Sequence, residues 1–128
     1  MMKNLNVVVI TLAGLGFTAF GILFLCWPDM LLPGIGIQAL SAEAQVEIRA
    51  MYGGLELGLG ILLLNCFAAD RQRFGLQLSL ASYGGLALAR LASMLVIGVT
   101  TPFLWFALVW EGGIAVLAIL ALRGKTSS

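Results

Sequence analysis

The chain has 128 residues, of which 61% are hydrophobic and only 10% are charged, and its mean hydropathy is +1.06. These values exclude an ordinary soluble globular domain and are typical of an integral membrane protein. The formal net charge of +1, without a basic patch, excludes nucleic acid as an expected partner.

Four apolar stretches are long enough to cross a bilayer, which takes about 20 helical residues each. The predicted helices cover residues 5–27, 46–69, 74–98 and 103–122. We expect the first helix to be retained rather than cleaved as a signal peptide, because no small-residue cleavage site precedes Trp27. The prediction is a single transmembrane domain over residues 1–128, an all-α, integral membrane four-helix bundle.

The connections between the predicted helices differ in length. Residues 70–73 and 99–102 form short connections, so the second, third and fourth helices are expected to be antiparallel neighbours. Ser41 and Thr101 are suitable residues to begin the helices that follow them. The first connection, residues 28–44, is long and unusually apolar, and two interpretations stay open: a lid over the mouth of the bundle, or a simple turn at the membrane surface.

The distribution of basic residues predicts the orientation. With four crossings, both termini and the second connection share one side, which carries these basic residues: Lys3, Arg71, Arg73, Arg123 and Lys125. The opposite side is acidic. The excess of Lys and Arg on cytoplasmic loops therefore predicts a multi-pass protein of the bacterial inner membrane with both termini in the cytoplasm.

Ionisable residues inside the apolar stretches mark the candidate site, because unpaired charge in hydrocarbon costs at least a few kcal/mol. Counting from the helix ends places Glu56, Arg90 and Glu111 at a similar depth, with Arg49 nearer the outer surface. Arg90 is expected to bridge the two carboxylates, since its planar fork of donors suits such pairing. With two tyrosines on the same helix faces, the candidate ligand-binding residues are Arg49, Tyr52, Glu56, Tyr83, Arg90 and Glu111.

Three interpretations of this cluster stay open. A neutral network of carboxylates and arginines serves to fix helix register. A pocket open to the outer face binds a ligand or an ion. A proton relay runs through Glu56 or Glu111, as ionisable residues within membranes often allow.

Glycines within the predicted helices are expected to let the helices approach closely. The candidate packing positions are Gly14, Gly21, Gly53, Gly54, Gly58 and Gly60. The spacing of Gly54 and Gly58 turns them away from Arg49 and Glu56, which predicts a lipid-facing seam on which a partner helix can pack.

Several kinds of chemistry are not expected. The chain has no His, which excludes His-ligated haem and metal sites. Cys26 falls near the outer end of the first helix and Cys66 near the inner end of the second, so most of the membrane separates them, which excludes a disulfide between them. No phosphate loop, dinucleotide fingerprint or nucleophile elbow occurs. The prediction is no cofactor, no metal site and no catalytic residue, and an enzyme is the class of function that the sequence favours least.

Two segments of the chain resemble a known family. The first is residues 47–60, which contain the sequence Arg49-Ala50-Met51-Tyr52-Gly53-Gly54. The second is residues 88–91, one helix later. This family is the domain-of-unknown-function family 4345, small four-helix membrane proteins of bacteria, and the likeness covers most of the chain. A more remote likeness is to the DoxX-like proteins, some of which are associated with quinone-linked sulfur oxidation. The resemblance implies a four-helix bundle and these motif positions: Arg49, Tyr52, Gly53, Gly54, Glu56 and Arg90. It implies no activity, since the closer family has none assigned.

The leading functional prediction is a membrane protein that binds a small amphiphilic or anionic ligand, such as a lipid or fatty acid, between its helices. The first alternative is an accessory or assembly subunit of a larger membrane complex, in which the charges are purely structural. The second is a proton-coupled transporter that acts as a homo-oligomer.

Overall fold

The computed structural model describes residues 2–38 and 40–124, and this part of the chain is helical without any strand. Four segments are long and apolar enough to cross a membrane: Asn4–Cys26, Ala42–Phe67, Gln72–Ile97 and Pro102–Arg123, here called the first to fourth spans. They confirm the predicted all-α class and the four helices. Lys125, one of the basic residues used to predict the orientation, lies outside the described residues.

The spans contain regular and irregular helix. In chain order the elements are α1 (Met2–Cys26), α2 (Pro28–Leu31), a 3₁₀ turn (Leu32–Ile35), α3 (Ala42–Ile48), a π-helical segment (Arg49–Leu55), α4 (Glu56–Leu64), a 3₁₀ turn (Asn65–Phe67), α5 (Gln72–Ile97) and α6 (Pro102–Arg123). The second span is therefore not one regular helix. It joins α3, the π-helical segment, α4 and the closing 3₁₀ turn.

The helix limits follow from local chemistry. The chain has three prolines, and each lies in the first turn of a helical segment, where its missing N–H is not needed. The Ser41 hydroxyl accepts a hydrogen bond from the backbone N–H of Ala44 (3.2 Å) and begins the second span four residues before its predicted start, at Ala42. Thr101 caps the fourth span in the same way, accepting from the N–H of Leu104 (3.3 Å).

The four spans form two closely packed antiparallel pairs. The first span packs along the second, and the third along the fourth, while the first also touches both helices of the other pair. The short connection after the second span predicted that the second and third spans would pack together as well. The two make only sparse contact, because the second span lies against the glycine-containing surface of the first.

Glycine makes the contact of the first pair possible. A Cβ atom at Gly21 would lie 2.5 Å from the backbone nitrogen of Leu57, and one at Gly60 would overlap Thr18. Gly14 and Gly53 also face the partner helix closely. Gly54 and Gly58 have open space beside them on the exposed surface. Four of the six glycines therefore lie at the contact between the first and second spans, and Gly54 and Gly58 lie on the exposed surface where the lipid-facing seam was predicted.

The apolar core lies toward the end of the bundle that contains the start of α1. The cluster nearest this end contains Val9, Ile10, Cys66, Leu76, Ala118 and Ala121. The next contains Ala13, Phe17, Leu63, Tyr83 and Ile114. The opposite half, where α1 ends and α6 begins, is less densely filled and contains the candidate site.

The first connection returns to the bundle at this less densely filled end. Pro28 and Leu32 are buried, and Gly36 turns the chain with a positive φ of 82°. Ile35 reaches the cavity described below and forms part of its wall. The position of Ile35 favours the interpretation in which this connection lies over the mouth of the bundle.

Candidate functional site

A cavity of about 180 Å³ lies between the spans in the half of the bundle near the first connection. All four spans contribute side chains to its wall. The apolar part of the wall is largely aromatic: Phe17, Phe20, Phe24, Phe103, Phe106 and Trp110. The polar part is formed by Tyr52, Glu56, Tyr83, Arg90 and Glu111. Five of the six predicted ligand-binding residues therefore meet at one cavity.

Arg90 and Glu111 form a bidentate ion pair across the third and fourth spans. Arg90 Nε donates to Glu111 Oε2 (2.8 Å) and Nη2 donates to Oε1 (2.6 Å). The antiparallel packing of α5 and α6 brings these two side chains to one level. Glu111 is buried, with 6% of its surface exposed. Both oxygens of this carboxylate are thus paired, and the two charges balance each other.

Glu56 lines the same cavity, but its carboxylate has no hydrogen bond and no ion pair within the described ranges 2–38 and 40–124. The sequence predicted that Arg90 would bridge Glu56 and Glu111. In the structure Arg90 pairs with Glu111 alone, because the third and fourth spans pack closely whereas the second and third hardly meet. Glu56 is therefore a half-buried carboxyl facing open space.

Tyr83 closes the floor of the cavity. Its hydroxyl donates to the backbone carbonyl of Ala13 (2.7 Å), and its ring centroid lies 4.4 Å from that of Phe17. Gly16 makes room for it, since a Cβ atom there would lie 2.7 Å from the Tyr83 hydroxyl. The hydroxyl thus joins α1 to α5 rather than a carboxylate.

Tyr52 lies at the side of the cavity nearest the surface. It is exposed, and its ring centroid lies 5.3 Å from that of Phe24. The two rings bring the second span against α1 at the level of the cavity. Tyr52 is thus placed to contact a molecule that enters.

Arg49 is the predicted site residue that does not line the cavity. Its Nη1 donates to Gln45 on its own helix (3.4 Å). The prediction assumed regular helix, in which Arg49 and Glu56 share a face. The π-helical segment between them has i→i+5 hydrogen bonds and more residues per turn, so the two side chains diverge.

The sequence predicted apolar walls from the first and fourth helices without naming their aromatic residues, although it contains a signal for them. Three phenylalanines of α1 are spaced by three and four residues: Phe17, Phe20 and Phe24. The same spacing recurs on α6: Phe103, Phe106 and Trp110. Each set lies on one helix face. The two faces turn toward each other across the cavity.

A second, more open groove of about 440 Å³ lies beside the cavity. The cavity and the groove share Leu86, Arg90 and Leu104. The groove continues over Ser93, Met94 and Ile97 toward the end of α5. The Arg90 side chain therefore lies between a partly enclosed space and an apolar surface groove.

Comparison with known proteins identifies a family and no characterised relative. A family model described as a domain of unknown function (DUF4345) matches residues 6–122. No curated protein and no solved structure matches the chain.

Proposed function

The chain belongs to the DUF4345 family, and from the cavity between its spans we propose that it is a membrane protein that binds a small amphiphile. One observation carries this proposal: an aromatic cavity contains a carboxyl, that of Glu56, which has no partner in the described chain. Pockets between bundle helices that combine apolar walls with a few convergent polar groups are common ligand sites. We propose no catalytic step.

The proposed position is the bacterial inner membrane, with both termini in the cytoplasm. Arg71, Arg73 and Arg123 support it, since they are exposed and occur at the helix ends opposite the cavity. In this orientation the cavity belongs to the outer half of the bilayer, and the first connection covers it from the outer side.

The cavity and the neighbouring groove are expected to hold different parts of the ligand. An engineered cavity of about 150 Å³ holds one benzene. The cavity of about 180 Å³ therefore suits a head group with a few carbon atoms rather than a whole lipid. A longer apolar chain extends past Leu86 and Leu104 into the groove on the surface of α5 and α6. The ligand is thus an amphiphile with a compact polar end.

The first experiment fills the cavity. Ala107 lines it, and Ala107→Phe places a ring in the open space. Val109→Phe introduces the same ring on the same helix at an exposed position and is the matched control. Native mass spectrometry of protein gently extracted from its own membrane is expected to find a small molecule on the wild type and on Val109→Phe. We expect that molecule to be lost from Ala107→Phe.

A wild-type chain that carries no small molecule in this experiment would contradict the proposal. Equal occupancy in all three proteins would also contradict it, because the molecule would then lie outside the cavity. The unfolding temperature of each variant in detergent is compared with that of the wild type. It shows whether a loss of binding comes from the filled cavity or from loss of the fold.

A second candidate function is that of an accessory subunit in a membrane complex. Gly54 and Gly58 favour it, since both are exposed and no other span of the described chain packs beside them. Gly58→Leu is expected to release a stoichiometric partner during purification if this function holds. Ile61→Leu, at an exposed position one turn away, is the control. A wild-type chain that purifies without a partner excludes this candidate.

A further inference from the structure

The charges around the cavity do not balance. Arg90 is the only basic residue among the described residues of its wall, and both oxygens of Glu111 accept from it. Glu56 forms no ion pair in that part of the chain. An ionised Glu56 therefore leaves the empty cavity with an excess of negative charge.

Arg90 is poorly placed to receive an anion. Turning its guanidinium away from Glu111 would leave that carboxylate buried and unpaired, which is strongly unfavourable. An anion that approached without displacing Glu111 would meet two carboxylates in one small space. The sequence predicted Arg90 in a site for an amphiphilic or anionic ligand, whereas the ion pair favours a ligand of the opposite charge.

The aromatic wall of the cavity also favours a ligand with a positive charge. Faces of Phe, Tyr and Trp rings carry partial negative charge and attract cations, and several rings around one space recognise quaternary ammonium groups. Rings come from two opposed helices here: Phe17, Phe20 and Phe24 of α1, with Phe103, Phe106 and Trp110 of α6. Tyr52 adds a ring beside the entrance, one helical turn from Glu56.

We infer that the polar end of the amphiphile is a protonated or quaternary amine, held by the Glu56 carboxylate among these aromatic rings. This inference rests on the proposed function and specifies its ligand. The apolar chain of the amine lies in the groove beyond Leu86 and Leu104. An alkylamine and the head group of a choline or ethanolamine lipid share this chemistry.

The test compares chain-matched probes on the purified full-length protein in an uncharged detergent. Dodecyltrimethylammonium, dodecanoate and dodecanol differ in head-group charge and share one tail. Each is titrated over the same low range of mole fractions in the detergent, with quenching or shift of tryptophan fluorescence as the readout, since Trp110 lines the cavity. We expect the ammonium probe to bind about tenfold or more tightly than the carboxylate probe.

Glu56→Gln tests the assigned residue. The substitution keeps the size of the side chain and breaks no hydrogen bond or ion pair among the described residues, so the fold is expected to persist. We expect it to remove the preference for the ammonium probe while dodecanol still binds. Glu47→Gln removes an exposed carboxylate from the same span outside the cavity, and it is expected to keep the preference.

The outcomes separate the two levels of the proposal. If none of the three probes binds, the proposed amphiphile site itself fails. If dodecanoate binds as tightly as the ammonium probe, or if Glu56→Gln keeps the preference, the amine assignment fails while the amphiphile site stands. Mass spectrometry of the molecule that is extracted with the protein then distinguishes a lipid head group from a free alkylamine.

Discussion

At the scale of single residues, Arg90 and Glu111 are the interaction whose loss should cost most. Their carboxylate and guanidinium are paired by two short hydrogen bonds in a region that we assign to the membrane interior. The presence of ionisable residues at matching depth was readable from the sequence. The choice of partner was not, because it depends on which spans pack closely.

Arg90→Ala is expected to destabilise the protein by about 3–5 kcal/mol, since it leaves a buried carboxylate without a counter-ion. The double variant Arg90→Met, Glu111→Leu removes both charges and is expected to recover most of that loss. The free energy of unfolding in mixed detergent micelles measures both. Equal losses in the single and double variants would contradict this account of the pair.

Tyr83→Phe removes only the hydroxyl that donates to the Ala13 carbonyl, and it is expected to cost about 1 kcal/mol of unfolding free energy. Tyr52→Phe removes a hydroxyl for which the described chain supplies no partner and serves as the control. Thermal unfolding of the two variants in one detergent makes the comparison. A larger loss in Tyr52→Phe would show that the roles of the two hydroxyls are reversed.

At the scale of the elements, the sequence predicted helices well and helix faces less well. Hydrophobic length alone predicted all four spans, because a bilayer leaves the chain few other ways to satisfy its backbone. The error at Arg49 arose in the π-helical segment, since a period of 3.6 residues does not apply there. The aromatic face of α6 followed the regular period and was predictable.

The pairing of α1 with the second span depends on close backbone contact at glycine. Gly21→Ala is expected to destabilise the protein by about 1–3 kcal/mol, because its Cβ atom would meet the backbone of Leu57 at 2.5 Å. Gly58→Ala, with no atom within 4 Å, is expected to cause no loss. The same unfolding measurement distinguishes them, and similar values for the two variants would argue against this packing.

At the scale of the whole molecule, two helix pairs enclose a cavity at one end and a packed core at the other. The first span contacts all of the others, so it forms the common support of both pairs. The proposed orientation places the cavity end outside. The two native cysteines allow a direct test of this placement.

Cys26 is exposed near the cavity end, whereas Cys66 is buried near the opposite end. A maleimide that does not cross membranes is expected to label Cys26 in intact bacteria from the periplasmic side. The Cys26→Ser variant, which retains only buried Cys66, should stay unlabelled under the same conditions. Labelling of Cys26 only after the cells are broken would reverse the proposed topology.

The ion pair between the third and fourth spans also bears on how the chain is made. Arg90 and Glu111 are 21 residues apart, so Arg90 leaves the ribosome well before its counter-ion. A lone Arg at the centre of a helix costs about 2.5–3.5 kcal/mol during insertion by the translocon. The third span therefore gains from waiting until the fourth has also left the ribosome. The two are expected to enter the bilayer together as a helical hairpin, with the pair already formed.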